Sequence, residues 1–384
     1  MGNWKWTTFF LFVCIALISA MLIKCSRKSI YFDEKNNKEK YGFNAIVYIG
    51  LAYVLLISFC LIRNVEMYPP YPGEHSIDMN AYIYFFQNGL TAGWDWKKIV
   101  TFNQWEPLFY TINIIIRAFT DNYRIYWFVL YSFYLICMLL FLSKTITRDM
   151  EVVILPFFII GLLYGMCALR SCIANAWCLL AFLNLQKKNK TKFVVYVLIA
   201  TLFHYTAIVV LPLIIVIYVC EKIKSNERVK SCILLIMAFA IVLIMLPIGK
   251  YIILQTKYAV YLGNRMNLLG QAPLFCCAVM ALIFFNDIKR KHNNMMVYIY
   301  MVLYNFLMMP FIVEFNVNRI SDFFLLPRLV VWTMILGCIK DRVKGIGEKR
   351  AVSMFGFMVM ALWMMKSIFD MKEYGIMPYL CSWI

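Results

Sequence analysis

The feature that most restricts this chain is a recurring one: apolar runs of roughly 20 residues, separated by short polar breaks. A helix rises about 1.5 Å per residue, so such a run spans the ~30 Å hydrocarbon core of a bilayer. Ten runs of this kind lie near 6–23, 42–62, 125–143, 151–167, 169–186, 231–249, 271–286, 295–313, 320–338 and 351–369. Inside lipid only helices and closed barrels satisfy every backbone polar group, and uninterrupted runs of this length select helices. The expectation is therefore an all-α polytopic membrane protein, a single domain over 1–384. Composition agrees: 63% of the residues are apolar and 15% charged, whereas soluble domains carry about 45–50% and about 25%. That balance excludes both an ordinary soluble enzyme and a disordered chain. Run 6–23 has the length of a signal peptide but no small-residue cleavage site, so it reads as a retained first helix.

Two segments depart from the pattern. Residues 63–124 are half-polar, with one short apolar piece at 107–119. Residues 193–219 are apolar for longer than one span but are interrupted by Phe203-His204-Tyr205 and Pro212. The formal charge of +18 comes from 38 Lys and Arg against 20 Asp and Glu. More than half of those cations sit in breaks at 24–40, 144–148, 187–192, 222–230, 289–291 and 340–350. Cations of membrane proteins collect in cytoplasmic loops, so the charge is a topological signal and no nucleic-acid partner is implied. All six breaks reach the cytoplasm if 193–219 enters and returns as a broken, re-entrant helix pair. The segment 63–124 then forms an outer-face loop with short helices, and both termini face outward.

The 13 cysteines are odd in number, form no C-x-x-C, and mostly lie within apolar runs, where a thiol behaves as a small hydrophobe. No P-loop, G-x-G-x-x-G, G-x-S-x-G, H-E-x-x-H or D-x-D occurs, so a soluble nucleotide-activated donor is not indicated. His75, His204 and His292 are the only histidines, and the topology separates His292 from the others. No metal site and no cofactor are expected.

That topology brings Asp78, Glu106, Arg170, His204, Tyr205, Arg265, Glu314 and Arg319 to the outer face from distant parts of the chain. Ionisable groups at span mouths are costly and usually functional. Arg170 begins a span. It either snorkels to headgroups or offers a guanidinium fork to a diphosphate or carboxylate, and the second reading is preferred. His204 interrupts an apolar segment and is either a satisfied structural imidazole or a site residue. Arg319 pairs structurally with Glu314 or adds a second cation facing an anionic headgroup. Asp78, one turn before Tyr82, and Glu106, directly before Pro107, are either helix-start carboxylates or a general base in a partly desolvated pocket. Trp105 and its aromatic neighbours are interfacial anchors or a stacking face for sugars.

An ordered series of short motifs resembles the EpsG-like branch of the Wzy-type bacterial polysaccharide polymerases. Asp78-Met79-Asn80-Ala81-Tyr82 is similar to a D-x-x-x-Y element, and Trp105-Glu106-Pro107-Leu108-Phe109 to an E-P-hydrophobic-aromatic element. Leu169-Arg170-Ser171-Cys172-Ile173-Ala174 is similar to an Arg-containing helix start, and Leu202-Phe203-His204-Tyr205-Thr206-Ala207 with Pro212 to an F-H-x-S/T-A element. Asn318-Arg319-Ile320 with Phe323-Phe324 is similar to a late R-[IV]-x-x-[YF]-[YF] element. Ser171 stands where the family often has Gln, and Glu74-His75 where it often has Arg and Gly.

The resemblance implies a glycosyltransferase-C-like, metal-independent enzyme in the bacterial cytoplasmic membrane. It would join polyprenyl-diphosphate-linked oligosaccharide units on the outer face, with that lipid as both donor and acceptor, membrane lipid around it, and room for a chain-length regulator protein. Arg170 and Arg319 would stabilise the departing diphosphate, Glu106 or Asp78 would be the base, and His204 would position the acceptor or the diphosphate. Tyr82, Tyr205, Arg265 and Trp105 would contact substrate. A glycan ligase using the same donor, or a flippase for it, is the alternative.

Overall fold

A computed structural model describes residues 6–33, 38–61, 78–88, 106–146, 150, 168–222, 236, 247, 250, 251, 271–315 and 319–373. The chain is helical throughout these, apart from one hairpin. In order, the elements are α1 (Trp6–Lys28), β1 (Ile30–Asp33), β2 (Lys38–Tyr41), α2 (Phe43–Leu61), α3 (Asp78–Asn88), α4 (Pro107–Phe119) and α5 (Tyr123–Thr145). Next come α6 (Leu169–Gln186), α7 (Lys190–Phe203), a 3₁₀ turn (Tyr205–Val210), α8 (Leu213–Lys222), α9 (Ala272–Ile283), α10 (Phe285–Lys291), α11 (Met296–Leu307) and α12 (Met309–Phe315). The last are α13 (Arg319–Phe323), α14 (Leu325–Arg342) and α15 (Ile346–Glu373).

Among the described residues, α2 and α5 are each long and apolar enough to cross a membrane unaided. The pair α9–α10 makes a third span if its 70° bend is counted within one crossing. The sequence runs 295–313 and 320–338 are each divided into a shorter and a longer helix, α11–α12 and α13–α14. Run 151–167 lies outside the described residues, as does run 231–249 apart from 236 and 247. The hairpin, in which Ile30 pairs with Tyr41 and Asp33 with Lys38, was not expected within the basic 24–40 break.

Side-chain contacts bring the described parts of the basic segments to one end of the bundle. The Arg27 guanidinium donates to the Ser143 carbonyl, and Tyr41 Oη lies 3.2 Å from Ser143 Oγ, joining the α1–hairpin corner to the end of α5. Phe141 meets Tyr298 edge-on at 5.7 Å, and Tyr298 donates to Gln186 Oε1 at 2.9 Å, adding the end of α6 and the start of α11. Lys190 lies over the Tyr218 ring at 5.3 Å, so the ends of 193–219 are side by side and the segment doubles back. Lys291 pairs with Asp341 at 2.6 Å, and Arg342 with Asp287, tying α10 to the end of α14.

The α6–α7 hairpin sets the depth of the residues at its open end. Its tight turn lies at the basic end: the Asn189 side chain accepts from Lys192 N at 3.1 Å, and Lys188 takes φ 60° to close the reversal. From there α7 runs 14 residues to Phe203, while α6 runs back through 18 residues to Leu169. At about 1.5 Å per residue they rise roughly 21 and 27 Å, and both reach the opposite end. Arg170 and His204 are therefore neighbours in space because the two helices are antiparallel and nearly equal in length.

Candidate functional site

The site forms where the tops of α6 and α7 meet the start of α4. Glu106 sits just outside α4 in extended backbone (φ −67°, ψ 147°), and Pro107 occupies the first helical position, where its fixed φ suits the helix and its absent N–H costs nothing. The Tyr110 amide donates to the Glu106 carbonyl at 2.9 Å. The Glu106 side chain makes no cap hydrogen bond to α4; instead it turns into the bundle and is 1% exposed.

A buried carboxylate requires compensation, and Glu106 has it on both oxygens. Arg170 Nη1 donates to Oε2 at 2.7 Å, and His204 Nδ1 lies 3.0 Å from Oε1. Burial alone pushes the Glu106 carboxyl up. The His204 hydrogen bond, the Arg170 charge and the charge of His204 when it is protonated outweigh that, bringing it from 4.5 down to about 2. Glu106 is thus a fixed carboxylate at any physiological pH.

Arg170 is held from a second side. Its Nε donates to Tyr82 Oη at 3.3 Å, with the guanidinium 5.7 Å from the Tyr82 ring. Tyr82 itself is 1% exposed and meets Phe109 edge-on at 5.6 Å. The side chains that fix this arginine therefore come from α3 and from the residue preceding α4, both in the half-polar segment 63–124. On α7, His204 N donates to the Ala200 carbonyl at 2.9 Å, closing the helix. His204 then turns to extended backbone (φ −157°, ψ 113°), and its carbonyl accepts from Ala207 N at 2.9 Å to begin the 3₁₀ turn. That break aims the imidazole at Glu106 rather than along the helix face.

Four of the residues singled out from sequence therefore converge: Tyr82, Glu106, Arg170 and His204. Tyr205 opens the 3₁₀ turn directly after His204. Asp78 opens α3 and Arg319 opens α13, and only their backbones are described. α13 packs against α6 and the 3₁₀ turn, and Asn175 Nδ2 donates to the Asp322 carbonyl at 3.3 Å, which brings Arg319's helix to the same part of the fold. Trp105 and Arg265 lie outside the described residues. Among the described residues, no group of three or more His, Cys, Asp or Glu is placed to hold a metal ion.

A polar layer around α13 escaped the sequence reading. Arg328, 7% exposed within α14, lies in electrostatic range of Asp322, and Ser321 Oγ donates to Asn305 Oδ1 at 3.3 Å. An Arg inside run 320–338 was a readable signal, since a charge within a span is rarely idle. The asparagines gave none, because one amide in an apolar run has no distinctive spacing.

The geometry is a buried carboxylate gripped on one oxygen by a guanidinium and on the other by an imidazole. Neither a curated protein nor a solved structure matches the chain significantly. The profile of the EpsG family matches residues 71–381, more than three quarters of the chain and all of the segments that build this cluster. The chain belongs to the EpsG family.

Proposed function

We propose that this membrane protein is a polysaccharide repeat-unit polymerase, joining polyprenyl-diphosphate-linked oligosaccharides at the end of the bundle opposite its basic, cytoplasmic edge. The observation that carries this reading is the Arg170–Glu106–His204 cluster. In the reaction, a hydroxyl oxygen of the incoming unit bonds to the anomeric carbon of the growing chain. The bond from that carbon to the lipid diphosphate breaks, and its electron pair leaves with the diphosphate. The hydroxyl proton has to go to a base.

Glu106 is poorly suited to take it: a carboxylate whose conjugate acid titrates near 2 is a weak base. With His204 Nδ1 donating to the Glu106 carboxylate, the neutral imidazole presents Nε2 as an acceptor, the arrangement in which a buried acid orients a histidine base. His204 is therefore the base and Glu106 a positioning residue. Electrostatics support the assignment. Arg170 and Glu106 cancel, so with His204 in its neutral, base form the cluster is neutral before reaction and carries +1 once His204 holds the proton. That charge appears as the leaving diphosphate becomes more negative, and a preorganised site responds without rearrangement. Arg319 supplies further positive charge to the diphosphate.

The test is size-resolved glycan and lipid-linked intermediates from a deletion strain complemented with variants. Loss of long chains with single units on the final acceptor, rescued by the wild type and not by Arg170→Lys, is the expected result. Arg170→Lys keeps the charge but loses the planar fork, and the rate should fall by about 10²–10³. Full-length chains stranded on the polyprenyl carrier would identify a ligase instead, and units trapped on the cytoplasmic side a flippase.

A further inference from the structure

The polar layer around α13 holds atoms whose hydrogen bonding is incomplete. Asn305 is fully buried, and with its Oδ1 accepting from Ser321, its Nδ2 has no partner among the described residues. Asn175 donates through Nδ2 to the Asp322 carbonyl, leaving a buried Oδ1 without a donor, and the Thr206 hydroxyl is likewise without a partner among the described residues. These atoms come from α11, α6 and the 3₁₀ turn, and all three elements meet α13: α6 and the turn pack against it, and Asn305 bonds to its Ser321. Native proteins rarely leave buried donors and acceptors unsatisfied, because each forgoes the hydrogen bond it had in water.

Their chemistry is specific: one amide donor, one amide acceptor and one hydroxyl, all uncharged, beside the mutually compensating charges of Arg328 and Asp322 in the same layer. A sugar hydroxyl, which both donates and accepts, complements such a set, and a phosphate or an apolar lipid tail does not. Their position is equally specific. Thr206 lies two residues beyond His204. Asn175 lies five beyond Arg170, about 7.5 Å further along α6 and turned roughly 140° around it, on the side of α6 that meets α13. Resting on the polymerase reading above, we propose that Asn175, Thr206 and Asn305 form a sugar-hydroxyl subsite around α13, beside the Arg170–Glu106–His204 cluster, that recognises the repeat unit.

The test uses full-length protein in lipid vesicles, supplied with lipid-linked units that accumulate in a deletion strain of the same organism. Thr206→Val and Asn305→Leu remove polar atoms at nearly constant volume. Each should raise KM about three- to tenfold, the worth of one hydrogen bond, with kcat within twofold, and Thr206→Ser should restore KM. An unchanged KM with a higher melting temperature in Asn305→Leu would overturn the subsite, showing that the amide was merely an unsatisfied group. If Asn305→Leu fails to fold, Thr206→Val carries the test. If the wild type joins no units, the polymerase reading fails separately. Thermal shift with the free oligosaccharide, cleaved from its lipid, then decides the subsite: stabilisation of the wild type that is lost in Thr206→Val supports it, and no stabilisation of the wild type overturns it.

Discussion

Glu106 shows how a single side chain ties stability to chemistry. Removing the charge of Arg170 alone leaves a buried carboxylate without its cation, a loss of about 3–5 kcal/mol. Removing both charges avoids that penalty. Arg170→Ala should therefore lower the melting temperature more than the Arg170→Ala, Glu106→Gln double variant, and a double-mutant cycle in detergent measures the coupling. The pH dependence has a definite sign. The folded carboxyl titrates near 2, below its ordinary 4.5. Its stabilisation, about 3 kcal/mol, is thus complete above pH 4.5 and lost as pH falls toward 2. Melting temperatures across that window should drop for the wild type and stay flatter for Glu106→Gln. Activity reports a different group. With an imidazole as base, the rate declines as acid protonates it, and Glu106→Gln shifts that decline along the pH axis. A rate that held down to pH 3 would return the base role to a carboxylate.

At the scale of elements, the α6–α7 hairpin and the α14–α15 contact invite substitution. Lys188 holds φ 60° at the hairpin turn without a glycine's freedom. Lys188→Gly should stabilise by about 1 kcal/mol by relieving the left-handed conformation, read as a raised melting temperature with activity retained. Where α15 crosses α14, a Cβ on Gly356 would stand 3.0 and 3.1 Å from the two terminal carbons of Leu336. Those are the ends of a flexible side chain, so alanine is accommodated by a rotation of Leu336. Gly356→Leu instead separates the helices at a cost of about 1–3 kcal/mol, visible as a lower melting temperature. The 3₁₀ turn is fastened from outside: Tyr304 Oη donates to the Val209 carbonyl at 2.5 Å. That contact keeps the segment after His204 seated on α11 and so helps fix the direction of the imidazole.

For the whole molecule, the arrangement makes a prediction about sides. Basic segments collect at one end and the Arg170–Glu106–His204 cluster at the other, so single cysteines should report opposite compartments. In a cysteine-free background, Lys344→Cys should react with a membrane-impermeant maleimide only after the membrane is opened. Asp121→Cys, between α4 and α5, should react in intact cells or spheroplasts. Labelling of both positions from one side would refute the opposed-face arrangement and with it the outer-face site.

What the chain determines by itself is its solvent and its periodicity. Apolar runs of bilayer length make helices the only economical fold, cations at the breaks mark one end of the bundle, and short motifs at Asp78, Glu106, Arg170, His204 and Arg319 carry the family. Local chemistry also shows where elements start and stop, as Pro107 does for α4 and His204 for α7, because capping and breaking act over a few residues. The hairpin within 30–41 and the splitting of runs 295–313 and 320–338 were not legible, since hydropathy registers how apolar a segment is and not where packing bends it. Nor was the division of labour in the site. In sequence, Glu106 is as plausible a base as Asp78. Only the antiparallel pairing of α6 with α7, which brings Arg170 and His204 onto the two oxygens of one buried carboxylate, lowers its basicity; the proposed mechanism gives that role to the imidazole. Proton affinity depends on charges a few ångströms away, and those charges lie 64 and 98 residues from Glu106 along the chain.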